Sequence, residues 1–188
     1  MRVEDGTEPA RRDDVVAAAR PRRAVVLFVP PPAGPAIDEI RERWDPVMRA
    51  RIGPHITLVH DVVDHARTTA DVAAVAAAMT RVRARLTAAA HWGQAAYGVY
   101  LGVEDPTGGI AALQAQLAAL EEPRWARVPF RAHCTLVHSR TTEPTIAARA
   151  WAELDGFVAG WDVELAAIDV IELDDRAGWR TVERYDLA

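Results

Sequence analysis

The chain has 188 residues, is 50% hydrophobic and 26% charged, and carries a formal net charge of −5. That is the composition of an ordinary soluble globular protein, one domain or two intimately packed lobes, with enough chain to bury a substantial core. It holds no run of about 18 apolar residues to span a membrane, its charged N-terminus lacks the apolar centre of a secretory signal, and its single cysteine, Cys134, rules out an intrachain disulfide, so a cytoplasmic protein with no membrane partner is expected.

All the basic residues are arginine, and the charge is uneven. Residues 153–188 hold ten acids against three arginines, a balance of −7, which leaves +2 for the rest. A long nucleic-acid surface wants a basic face. The balance here favours a small nucleotide or one RNA end over extended DNA or a duplex. Oligomeric state is left open.

In chain order, residues 1–23 read as an arm of mixed charge with Pro9 and Pro21 and a short helical possibility at 13–20. The apolar run 24–29, closed by three prolines, reads as a buried strand and a stiff turn. Ile37, Ile40, Trp44, Val47 and Met48 recur at helical spacing, which predicts a helix over 36–50 with Pro46 as an irregularity. Gly53-Pro54 punctuates, and a strand follows. Thr68 or Thr69 is expected to cap a helix with the stripe Val72, Val75, Met79, Val82 and Leu86, the arginines 81, 83 and 85 lying along its last turns.

The pattern then returns. Residues 97–103 read as a strand. Thr107 precedes a helix with Ile110, Leu113, Leu117 and Leu120 on one face. Pro123 and Pro129 precede another strand, and Glu143-Pro144 opens a further helix. Residues 161–173 and 179–187 read as closing strands, with Asp174, Asp175 and Gly178 as a hairpin turn. The order strand, helix, strand, helix occurs twice with no long linker. The expected fold is α+β, a single unit over 24–188 made of two similar lobes with a cleft between them.

Both repeats contain the same hexapeptide. His55-Ile56-Thr57-Leu58-Val59-His60 and His133-Cys134-Thr135-Leu136-Val137-His138 agree at five of six positions, 78 residues apart. Each reads as a strand, since these residues suit a pleated, half-buried surface. Strand side chains alternate between faces. His55 and Thr57 therefore share one face, and His133 and Thr135 share the equivalent one. Simple alternation sends His60 and His138 to the opposite face, where a structural role is expected. It also puts Cys134 in the core, away from His133.

Two imidazoles across a cleft suit displacement at phosphorus, one as general base to the attacking oxygen and one as general acid to the leaving oxygen. Threonine hydroxyls on the same face can donate to the non-bridging phosphate oxygens. Four histidines invite a metal site, but ligands must converge, and a five-residue spacing splits each pair across the sheet; neither metal nor cofactor is expected. Tyr97, Tyr100 and Phe130 are candidates to stack on a base, alongside Trp92 and Trp44.

The duplicated His-x-Thr-Leu resembles the motif of the 2H phosphoesterase superfamily, which includes 2′-5′ RNA ligase-like proteins and RNA 2′,3′-cyclic phosphodiesterases. The resemblance covers roughly residues 24–187. It implies a bilobal, pseudo-twofold α+β fold and metal-independent hydrolysis of a 2′,3′-cyclic phosphate on a nucleotide or RNA end. It also implies His55 and His133 as the acid/base pair, here expected as acid and base respectively, with Thr57 and Thr135 binding phosphate. Some members join RNA ends through a 2′-5′ bond, and a cleft that binds nucleotide or RNA without turnover is the reading from another class. Arg131 lies two residues before His133 on the same strand face and can touch phosphate. Its counterpart in the first repeat is Gly53, so basic support is one-sided, which weighs against polynucleotide substrates and ligation more than against hydrolysis.

Overall fold

The computed structural model describes residues 21–93, 98–123, 125, 127–174 and 178–188. The arm expected over 1–23 therefore lies, up to residue 20, outside the described residues, and so do Tyr97 and Asp175; Arg23 opens the first strand. The elements are β1 (Arg23–Phe28), α1 (Ala33–Trp44), α2 (Pro46–Arg51), β2 (His55–Val59), α3 (His65–Ala78), β3 (Val82–His91), β4 (Gly98–Glu104), α4 (Gly109–Leu117), β5 (His133–His138), α5 (Pro144–Leu154), β6 (Val158–Leu165), β7 (Ala167–Asp174) and β8 (Gly178–Asp186).

All eight strands join one antiparallel sheet in the order β6-β3-β4-β5-β2-β1-β7-β8. The two motif strands are neighbours at its centre. They share a single ladder pair, Ile56 with Cys134, so the sheet divides into two related halves there. Each motif strand is flanked by the strand that opens its own repeat, β1 beside β2 and β4 beside β5. Strands also cross between the halves: β3, which follows α3, pairs with β4, and β7, which follows β6, pairs with β1. Helices cross too, α1 packing on β5 and α4 on β2. One large core lies between the back of the sheet and these helices, with Leu27, Ile56, Leu58, Leu101, Ile110, Leu113 and Leu136 all but sealed from solvent. A smaller cluster of Ala24, Val26, Met48, Ile52 and Ile171 lies elsewhere, with Phe28 and Trp179 against it.

Three expectations change. The stripe from Val72 to Leu86 is not one helix: α3 ends at Ala78, and Val82–His91 is a strand. Val82 and Leu86 are four residues apart, which suits a helix, but burial along Val82, Arg83, Ala84, Arg85 and Leu86 alternates strictly. The outward arginines oppose the acids of β6, Arg81 meeting Glu164 at 3.1 Å and Arg85 meeting Asp162 at 3.1 Å. The cap of α3 is Asp64, whose carboxylate accepts the backbone N–H of Ala66 and Arg67, rather than Thr68 or Thr69. Finally, residues 161–173 are two strands. β6 ends one side of the sheet, and β7 lies in the other half. Only Ala166 separates them, so the two halves converge at that end. The break at Pro46, the helix through Leu117, the start of α5 at Pro144 and the β7–β8 hairpin agree with the sequence reading.

Candidate active site

Burial along His55, Ile56, Thr57 and Leu58 alternates between half-buried and buried, and so it does along His133, Cys134, Thr135 and Leu136. The two His-x-Thr pairs therefore share the more open face at the seam. Continuing the register of Ile56 with Cys134, His55 lies opposite Thr135 and Thr57 opposite His133. The two histidines sit on a diagonal, which places their Cβ atoms roughly 7–8 Å apart. A phosphoryl group fits between rings so spaced.

Both rings are oriented by one device. His55 Nδ1 lies 2.8 Å from the Gly53 carbonyl, and His133 Nδ1 lies 2.8 Å from the Arg131 carbonyl. A carbonyl only accepts, so each Nδ1 carries the proton and each Nε2 presents a lone pair. The hydroxyls of Thr57 and Thr135 have no partner among the described residues and are free to donate.

The two halves differ in what surrounds the rings. Phe28 pairs across from His55 and meets its ring edge-on at 6.2 Å. The corresponding neighbour of His133 is Gly102. Removal from water, aided by the charge of Arg41, pushes the His55 pKa down to about 3, against the opposing pull of its Gly53 bond. His133 is lowered for the same first reason, with the charges of His60, Arg131 and His138 adding to it. Neither ring therefore carries a second proton at neutral pH in the free protein.

Arg41 was not singled out by the sequence reading. It is wholly buried on α1. Two of its N–H groups donate to the Thr135 carbonyl, at 3.0 and 2.6 Å, and a third to the Ile52 carbonyl at 3.2 Å. It thus fixes the second threonine to the turn that leads into β2. The signal was present: Arg41 falls on the apolar stripe of Ile37, Ile40 and Trp44.

His60 and His138 are not opposite the site. Val26 pairs with Thr57 but Val25 with Val59, and Tyr100 pairs with Thr135 but Val99 with Val137. Leu58 and Leu136 are each the extra residue of a β-bulge, which interrupts the alternation. Leu58 and Val59 both enter the main core, as do Leu136 and Val137, and the sixth residue returns to the front. Each sixth residue is then gripped by a carboxylate. Glu121 accepts the backbone N–H of His60 at 2.9 Å, and Asp45 accepts that of His138 at 2.8 Å.

The stacking candidates fare unevenly. Tyr100 is buried, stacked on Trp92 at 4.3 Å, edge-on to His133, and its hydroxyl accepts from Arg131 at 3.0 Å. It walls the site rather than offering a free face. Arg131 lies beside Trp92 and near enough to act on His133. Phe130 is exposed and lines a cavity with Glu121 and Arg127. Trp44 is core, and Cys134 is buried as expected.

Comparison with known proteins gives the family and the fold. The family model described as the 2′-5′ RNA ligase superfamily matches residues 29–177. The chain belongs to the 2′-5′ RNA ligase superfamily. No curated protein matches the chain. Among solved structures, the Thermus thermophilus protein TT0787 is 17% identical with a TM-score of 0.63, the match covering 88% of this chain and 97% of that one. Escherichia coli LigT, complexed with 3′-AMP, is 18% identical with a TM-score of 0.58, over 89% of this chain and 98% of its own. A structure described only as a phosphoesterase is 18% identical with a TM-score of 0.54, over 89% and 99%. At these identities the likeness is one of fold. The chain has the LigT-like 2H phosphoesterase fold, one antiparallel sheet with several helices. Among the described residues no helix is long and apolar enough to cross a membrane.

Proposed function

We propose that the protein hydrolyses 2′,3′-cyclic phosphates of nucleotides or RNA ends by general acid–base catalysis from His55 and His133. The observation that carries this is the matched presentation of the two rings. Each donates Nδ1–H to the carbonyl two residues earlier and turns Nε2 to the shared face, with a free threonine hydroxyl across the seam. Simple binding needs no such duplication of proton-transfer groups.

In this reading the cyclic phosphate lies between the rings. Thr57 and Thr135 donate to its non-bridging oxygens, where charge builds as water attacks. One imidazole accepts the water proton as the new P–O bond forms. The other, protonated, gives its proton to O3′ as the P–O3′ bond breaks, leaving a 2′-phosphate and a 3′-hydroxyl. The rings regain their starting states by exchange with solvent. The anionic phosphate supplies the countercharge that the free site lacks, so substrate binding favours protonation of one ring. His55, the more desolvated, is the one better suited to stay neutral and accept the proton, and His133 the one suited to donate it. That inverts the roles drawn from the family resemblance. The nucleotide complexes of LigT, with 3′-AMP, ATP and NADP+, support a nucleotide in this cleft.

The test is 31P NMR of a 2′,3′-cyclic nucleotide incubated with the protein in EDTA. A single product with the phosphate on O2′ is expected. An intact cyclic phosphate in the presence of folded protein overturns the reading.

A further inference from the structure

We propose that His60 is a specificity residue that binds a second phosphoryl group of the substrate, the one next in the chain to the cyclic phosphate. The inference rests on the cleft reading above and narrows it, favouring an RNA end over a bare mononucleotide.

Three observations carry it. The bulge at Leu58 returns His60 to the front of the sheet, close enough for its charge to act on both His55 and His133. Its ring is held in place. Nδ1 lies 3.2 Å from Glu121 Oε1, and the ring stacks on Trp125 at 4.8 Å with planes 25° apart. The outer end is open. The side chain is 40% exposed while that of Glu121 is only 7% exposed, and Nε2 has no partner among the described residues. With Nδ1–H turned to the carboxylate, Nε2 is the nitrogen that faces outward, and in the imidazolium form its N–H is a strong donor to a phosphate oxygen. The ring is thus anchored as His55 and His133 are, but by a carboxylate rather than a carbonyl.

Its pseudo-symmetric mate does not share this. His138 Nδ1 accepts the backbone N–H of Arg140 at 3.0 Å. Asp45, the counterpart of Glu121, is occupied by backbone and hydroxyl donors, namely the N–H groups of Met48 and His138 and the Thr141 hydroxyl. The two sixth-position rings are therefore held differently, a carboxylate on Nδ1 of His60 and a backbone N–H on Nδ1 of His138, and this asymmetry suits a substrate that leaves the cyclic phosphate in one direction. His60 lies three residues along β2 from Thr57, roughly 10 Å at strand rise and less across the bulge. Beyond it, Glu121 also lines a cavity of about 400 Å³ with Arg127 and Phe130, a size that admits a nucleoside. The polar contact missing at Gly53 is offered here from just past the far end of the same strand.

The test compares a 2′,3′-cyclic mononucleotide with the same nucleotide carrying a 5′-phosphate. The ratio of kcat/KM for the second over the first is measured for the native protein, His60→Phe and Glu121→Gln. Glu121→Gln keeps an acceptor for the His60 backbone N–H and guards against a folding defect in the first variant. The expected result is a ratio lowered about tenfold in His60→Phe and partly lowered in Glu121→Gln. An unchanged ratio in both overturns the proposal. Calorimetric titration with a nucleoside 2′,5′-bisphosphate and a 2′-monophosphate reads the same preference without turnover. If neither substrate is hydrolysed but His60→Phe erases the preference for the bisphosphate, the subsite stands and the catalytic reading falls. If the preference is unchanged, the subsite falls.

Discussion

At the scale of residues, the site is two copies of one arrangement whose differences lie in what surrounds each ring. The His-x-Thr pairing was legible because a strand alternates with period two, and both copies obey that up to the leucine. The bulge after it was not legible, since nothing in Leu58-Val59 or Leu136-Val137 distinguishes a bulged pair from an ordinary one. His60 and His138 were misplaced for that reason alone. Thr57→Val and Thr135→Val keep shape and remove one donor each, and each is expected to lower kcat by about a hundredfold with the fold intact. The lowered pKa values of His55 and His133 set the pH dependence. Activity of the free enzyme needs one neutral and one protonated ring, so kcat/KM peaks between their two pKa values. Burial has moved both down, so the optimum is expected on the acid side of the ordinary imidazole value of about 6.5. A kcat/KM profile peaking at alkaline pH would contradict this.

At the scale of elements, helices with one clean apolar face were readable, as in α4, where Ile110, Leu113 and Leu117 are all buried. β3 was not, because Val82 and Leu86 satisfy a helical spacing as well as a strand's. Only pairing with β4 and β6 decides between them, and that information is not local. Arg41 shows the same limit: its place on an apolar stripe was visible, but the carbonyls it serves come from β5 and from the turn before β2. Arg41→Met leaves the Thr135 and Ile52 carbonyls without these donors inside the protein. A loss of about 3 kcal/mol in urea denaturation is expected, together with a lower kcat as Thr135 loses its anchor. Gly98 pairs with His138 at φ +117°, and a Cβ there would stand 2.9 Å from the Val137 carbonyl. Gly98→Ala is expected to cost about 1–3 kcal/mol by the same assay, through strain at the second bulge.

At the scale of the whole molecule, the crossings of strands and helices make each half depend on the other. The doubled order of elements revealed two related halves. It did not reveal that β3 and β7 exchange sides or that Ala166 alone joins the far edge to the near half, because such pairings lie far apart in sequence. The packing around the seam also holds three histidines against their charged form. His55, His133 and His138 all have pKa values lowered first by burial. The unfolded chain binds protons at these sites below about pH 6.5, while the folded chain resists until lower pH, so stability is fully present above that value and is lost as pH falls. The urea midpoint is expected to drop between pH 7 and pH 5; a flat midpoint over that interval would show that burial of these rings carries no such penalty.

The central claim is that two imidazoles, presented alike from paired strands, together perform one phosphoryl displacement. Its most direct test is the rate of 2′,3′-cyclic nucleotide hydrolysis in EDTA by the native protein, His55→Ala and His133→Ala, each shown to be folded. Turnover by the native protein that falls by about a hundredfold or more in each variant is the predicted result. Turnover that survives the loss of either histidine would contradict it.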